Sequence, residues 1–206
     1  MILTYHDGAC IKASAGETTL VFGPVSKQSK NFRPVNFGAD VAFVSLNHRD
    51  MNGADDATRG DKKPFSISGP GEYEVQEMTA AGFGSVSRWD GDQRTNTIYA
   101  VRFDDMSILY MGAQGDTELP KEVLEMDAPD ILIISIGGSG VLSPAEAQKL
   151  AVSLEAKVVI PVLYDSSTLT QFLKEAGADD VVSVEKLTIK PRDLVGKEND
   201  VVVLAS

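Results

Sequence analysis

The chain has 206 residues, 43% of them hydrophobic and 24% charged, which is the make-up of a globular protein able to bury a substantial core as a single domain over 1–206. A net charge of −11 sets a repulsive field against nucleic acid and anionic membranes, and no apolar run reaches bilayer length. The lone Cys10 excludes an intrachain disulfide, and MILTYHDGACIKAS lacks the basic and long apolar regions of a signal peptide, so a cytoplasmic location is expected.

Strands dominate the first half. ILTY, CIKAS, TTLVF, VAFVSL, PFSIS, TIYAVRF and SILYM are short runs rich in β-branched and aromatic residues, divided by turn signals at 15–17, 23–24 and 69–72. They predict a meandering, largely antiparallel sheet. Lys27, Lys30 and Arg33 form a small basic patch, read as a solvated loop. In GPGEYEV, alternation puts Glu72 and Glu74 on one face and Tyr73 on the other, and a solvated strand face is preferred to an acid/base pair.

Strands and helices alternate in the second half. A helix is expected over TELPKEVLEM. The run ILIISIG at 131–137 reads as a strand covered on both faces. Ser143, Pro144 and Glu146 then open a helix with a capping box, and Ala147, Leu150, Ala151 and Leu154 make its apolar stripe. VVIPVLY is a further strand, SSTLTQFLKEAG a helix closed by Gly177, and VVSVEKLTI and VVVLA are final strands. GGSG at 137–140 is too short for a dinucleotide fingerprint and reads as a tight turn. No G-x-S-x-G elbow is present, and Cys10 has no neighbouring His to make it a nucleophile.

The loop VSLNHRDMNG at 44–53 is the candidate site. His6, His48 and Cys10 are the only imidazole and thiol side chains, so a zinc centre built on such groups is excluded. Any protein-held metal must rely on carboxylates, which favours Mg, Mn or Ca. For His48 and Asp50, a residual ligand or acid/base pair stands beside a plainer reading. In the plainer one Asp50 caps the loop through backbone N–H groups and His48 packs beside it; that one is preferred. Asp116 is a candidate cation ligand or helix initiator, the second preferred.

A strand, a turn and a His/Asp loop at the strand's end make a layout similar to that of the metallo-β-lactamase superfamily. The chain resembles in particular its small single-domain members related to ascorbate-6-phosphate lactonase. The resemblance is carried by GADVAFVSLNHRDMNG, ISGPGEYEV, NTIYAVRF, LYMGAQGD and DILIISIGGSGVLSPAEAQKLAVSLEAKVVIPVLY, in the family's order. It implies a four-layer α/β/β/α sandwich, a hydrolase built on Zn or Mn, and self-association of the kind the lactonase type shows. The family motif H-x-H-x-D-H falls on Leu46, Asn47, His48, Arg49, Asp50 and Met51. Later ligand positions fall on Tyr110, Ala113 and Leu163, the last beside Tyr164, and an early Asp on Gly23. His48 and Asp50 alone remain of the ligand set, with Leu46, Met51, Tyr110, Ala113 and Leu163 lining the former cleft.

One His and one Asp cannot supply the fixed geometry that metal-assisted hydrolysis needs. The expectation is therefore no bound metal, no assignable catalytic residue, and a scaffold kept for binding, regulation or assembly. A homo-oligomer or an unspecified small-molecule or protein partner would be its target, without nucleic acid or membrane. The alternative is a hydrolase of a phosphorylated or lactone-like small molecule, with an atypical carboxylate-rich site around His48, Asp50 and Asp116.

Overall fold

The computed structural model describes residues 1–206. Its first sheet contains β1 (Ile2–Tyr5), β2 (Ile11–Ala15), β3 (Thr18–Phe22), β4 (Val41–Val44) and β5 (Phe65–Ser68), with the C-terminal β12 (Leu187–Thr188) beside β1. β1, β2 and β3 pair antiparallel, whereas β3, β4 and β5 run parallel. The second sheet contains β6 (Gly71–Val75), β7 (Met78–Ser87), β8 (Arg94–Phe103), β9 (Met106–Tyr110), β10 (Ile131–Ser135), β11 (Val158–Val162) and β13 (Asp200–Val201). β6 to β9 form an antiparallel meander, and β9, β10, β11 and β13 are parallel. The strands of the first half are thus largely antiparallel, as expected, but lie in two sheets, each made mixed by its parallel strands.

Period-two alternation explains how the sheets stack. Leu3, Ile11, Leu20, Phe22 and Phe43 from one sheet meet Tyr99, Tyr110, Ile131, Ile133 and Ile160 from the other in the central core. The opposite faces carry a second apolar set. Leu109, Leu132, Ile134 and Val159 pack under α1 (Lys121–Leu124), α2 (Pro144–Ser153) and α3 (Ser166–Glu175). On the first sheet, Val21, Ala42 and Val44 are covered by Val25, Val35, Ala39, Ala54 and Ala57. The four layers of the sandwich are therefore present, but the layer over the first sheet is an ordered loop whose one helical turn is Ala54–Asp56.

Helix α2 carries the predicted capping box, with Ser143 and Glu146 satisfying each other's backbone N–H groups. Gly177 takes φ +63° one residue beyond the last cap of α3, as a helix-ending glycine should. The helix expected over TELPKEVLEM shrinks to Lys121–Leu124. Pro120 offers it no capping side chain, and Ala128 precedes Pro129, which disfavours helical backbone there. Strand β7 lacks an apolar alternation because MTAAGFGSVS is built from small residues; pairing with β6 and β8 along its length makes it a strand. VVSVEKLTI gives only Leu187 and Thr188 to the first sheet, and VVVLA only Val201, beside Asp200, to the second, since both lie at sheet edges with a partner on one side.

Tyr99 joins the two sheets. Wholly buried on β8, its hydroxyl donates to Val44 O at 2.8 Å, accepts from Gly69 N at 2.9 Å, and lies 3.3 Å from Ile67 O. Burial pushes its phenol up to about 12. Tyr99→Phe leaves those groups unpaired in a dry interior and should cost about 1–3 kcal/mol. Urea unfolding should show this as a lower midpoint with an unchanged slope.

Candidate functional site

The loops that follow β3, β4, β9 and β11 lie at the C-terminal ends of parallel strands, where open α/β sheets place ligands. Asp50 sits among them, fully buried. Its Oδ1 accepts from Ser29 Oγ at 2.7 Å, and its Oδ2 from Asn31 Nδ2 at 2.8 Å and the Trp89 indole N–H at 3.1 Å. Burial alone would raise the carboxyl's pKa. The bonds from Ser29, Asn31 and Trp89, with His48 nearby, outweigh it and hold the group below the ordinary Asp value. The expected partners of Asp50 were backbone N–H groups; those found are side chains from the segments at 29–31 and 89. No sequence motif marks Ser29, Asn31 or Trp89, although Trp89 is the chain's single tryptophan.

His48 packs beside Asp50 with its side chain 7% exposed. Its Nδ1 accepts from Asp50 N at 3.3 Å, and its Nε2 lies 3.3 Å from Asp90 Oδ2. Asp90 holds φ +61° and escapes sequence reading entirely. The stacking of Trp89 on Phe32, 6.0 Å between centroids, completes the closure of these loops.

The positions at which the resemblance places further ligands are all apolar or aromatic and all belong to the central core. Leu46, Met51, Tyr110, Ala113 and Leu163 are between 0% and 3% exposed. They pack into the core at this edge, because side chains without charge have no reason to stay hydrated. Tyr110 stacks at a tilt on Phe22, with centroids 5.2 Å apart, and its hydroxyl donates to Ala9 O at 3.2 Å. Burial raises its pKa, so it serves as a donor and not as a base.

Two of these positions are sterically tied to their neighbours. A Cβ on Gly23, which has φ +53°, would stand 2.2 Å from Tyr110 Oη, so the phenol uses the space that a side chain at 23 would need. Leu163 has φ +54°, a conformation that costs a non-glycine residue about 1–3 kcal/mol. It is held by Leu163 N donating to Gly8 O at 2.7 Å, and its carbonyl lies where a Cβ on Gly137 would come within 2.3 Å. Tyr164, half-buried beside Leu163, stacks on Tyr5 at 5.8 Å.

The remaining candidates stand apart from this cluster. Asp116 accepts from Glu118 N at 3.1 Å and faces Arg88 at 3.5 Å, making a local turn ahead of α1 instead of capping that helix. Arg49 has no carboxylate partner. Gly138, in GGSG, donates to Leu142 O and accepts from Val141, a turn closed on itself. The Cys10 thiol is buried and pushed up to about 12. Nowhere do three His, Cys, Asp or Glu side chains converge to hold a metal ion. With both Asp50 oxygens engaged and the other positions apolar, the donor set does not fit one.

This arrangement is a metallo-β-lactamase sandwich. A family model described as a beta-lactamase superfamily domain matches residues 2–163, and the chain belongs to that superfamily. Among solved structures it is similar to a candidate Zn-dependent hydrolase of the metallo-β-lactamase superfamily from Thermotoga maritima, with 24% identity and a TM-score of 0.73 over 98% of this chain and 97% of that one. A candidate metal-dependent hydrolase from Parabacteroides distasonis is 13% identical with a TM-score of 0.68, over 98% of this chain and 91% of that one. Isothiocyanate hydrolase from Delia radicum gut bacteria is 13% identical with a TM-score of 0.66, over 92% of this chain and 100% of that one. No curated protein sequence matches the chain.

The depressed pKa of Asp50 carries a signed pH effect. Its ionised form adds stability above the unfolded value of about 3.9, and that stability is lost as pH falls through the lower folded value. Asp50→Asn cannot accept from all of its donors and should lose about 1.5–3 kcal/mol at neutral pH. Its stability should also fall less steeply below about pH 4 than the parent's. Trp89 fluorescence during urea unfolding at stepped pH reads both effects.

Proposed function

We propose that this chain is a non-catalytic member of the superfamily that keeps the scaffold for binding, regulation or assembly in place of metal-dependent hydrolysis. The observation that carries the reading is the joint burial of Leu46, Met51, Tyr110, Ala113 and Leu163 in one core, next to a carboxylate already committed to Ser29, Asn31 and Trp89. Metal-assisted hydrolysis needs an ion with an open coordination position facing water or substrate. Here those positions are dry and filled. An ion entering beside Asp50 would have to displace three hydrogen bonds and gain only His48 as a second ligand.

The rival reading, a hydrolase of phosphorylated or lactone-like molecules using His48, Asp50 and Asp116, has less support. Asp116 is engaged with Arg88 and Glu118, and His48 with Asp50 and Asp90.

Metal analysis by mass spectrometry on untagged protein purified without chelators tests the proposal. The expected content of Zn, Mn, Fe and Mg is far below one ion per chain, with no metal-specific rise in melting temperature on adding Zn, Mn, Mg or Ca. Stoichiometric metal, together with esterase, lactonase or phosphatase turnover abolished by His48→Ala, would overturn it.

A further inference from the structure

Away from the Asp50 edge, the helical layer on the second sheet is incomplete. Helices α2 and α3 bring Leu150, Ala151 and Phe172 over Leu132, Ile134 and Val159, on the parallel strands. The same face continues over β6 to β8 without a helix upon it, α1 reaching only Leu109 on β9. Strand pairing sets Glu72, Ala81, Ala100 and Leu109 in one cross-strand row. The next row runs from Glu74 through Thr79 and Arg102 to Ser107. The middle of the floor is low, with Ala81 and Ala100 half-buried between Glu72 and the buried Leu109.

A wall rises along one side, where Leu124 is 58% exposed and Met126 43% exposed, an unusual state for large apolar residues on adjoining turns. Floor and wall enclose a trough of about 970 Å³. Its rim is acidic: the lining carries Glu72, Glu74, Glu125, Asp127 and Glu155 against one base, Arg102, with Glu125 also paired to Lys121 at 3.2 Å.

We infer that this trough docks an amphipathic helix of a partner protein whose apolar face is flanked by Lys or Arg. The floor spans three strand spacings, about 14 Å, and a helix with its side chains is about 10 Å across. Ala81 and Ala100 admit its backbone closely, and a helix laid there would extend the layer that α2 and α3 begin. Leu124 and Met126 meet its apolar face, while the carboxylates on both margins meet its cations. A second copy of this chain fits poorly, because a two-fold contact sets each acidic rim against its equal. None of the residues around His48 and Asp50 lines the trough, so the inference holds whether or not hydrolysis has been lost.

The probe is a fluorescein-labelled helical peptide of about 15 residues with a Leu/Ala stripe flanked by Lys, titrated by anisotropy against the full chain at about 0.15 M salt. Saturable binding is expected, with hydrogen-exchange protection confined to β6–β8 and residues 121–129. The same peptide with Glu for Lys should not bind. Glu72→Lys/Glu74→Lys, and separately Glu125→Lys/Asp127→Lys, should each weaken binding at least about tenfold. Asp179→Lys/Asp180→Lys, which makes the same charge change elsewhere, should leave it within about twofold. All six positions are exposed, so the fold tolerates the changes. No binding, equal weakening by the Asp179/Asp180 pair, protection elsewhere, or a dimer dissociated by Glu72→Lys/Glu74→Lys would each overturn the inference.

Discussion

Everything at the C-terminal edge of the two sheets depends on one carboxylate being kept ionised without water. Asp50 is fully buried, and the cost of removing its charge from solvent is offset by donors from two separate segments, Ser29 and Asn31 on one and Trp89 on the other, with His48 packed beside them. Because these segments come from both sheets' connections, the acid works as a staple. Losing it would leave three donors and an imidazole without a reason to converge. The charge is stabilised by hydrogen bonds from Ser29, Asn31 and Trp89.

Around that staple the departures from the family pattern form a consistent set. Tyr110 needs Gly23, since no side chain at 23 can share space with the phenol. Leu163 retains a left-handed backbone that gives a leucine nothing in return, held by Gly8 and by the close approach of Gly137. The backbone of the edge thus keeps a demanding shape while the side chains have become those of a core. Such strain is ordinarily stored where chemistry uses it, and its persistence under an apolar side chain fits the proposed loss of that chemistry.

The sequence carried the fold well wherever local chemistry was explicit. Strands β1, β3, β10 and β11 read directly from β-branched runs, and α2 from Ser143 and Glu146. Strand β7 did not, because Gly and Ala carry no alternation and only its neighbours make it a strand. The candidate site was half legible. His48 and Asp50 stand out in VSLNHRDMNG, but the partners of Asp50 lie 19, 21 and 39 residues away and obey no spacing rule. Nor could composition reveal the acidic trough, whose members come from four strands, two helix ends and a loop and are brought together by the fold.

The central claim is that hydrogen bonds, not a cation, satisfy Asp50. Trp89 is the only tryptophan, so its indole N–H gives a single resolved proton–nitrogen resonance, sited 3.1 Å from Asp50 Oδ2. Titration with paramagnetic Mn²⁺ reads that contact directly. The account predicts a slowly exchanging, downfield indole resonance that keeps its intensity at one equivalent of Mn²⁺. Bleaching of that resonance at one equivalent, reversed by a chelator, would place an ion on Asp50 and contradict it.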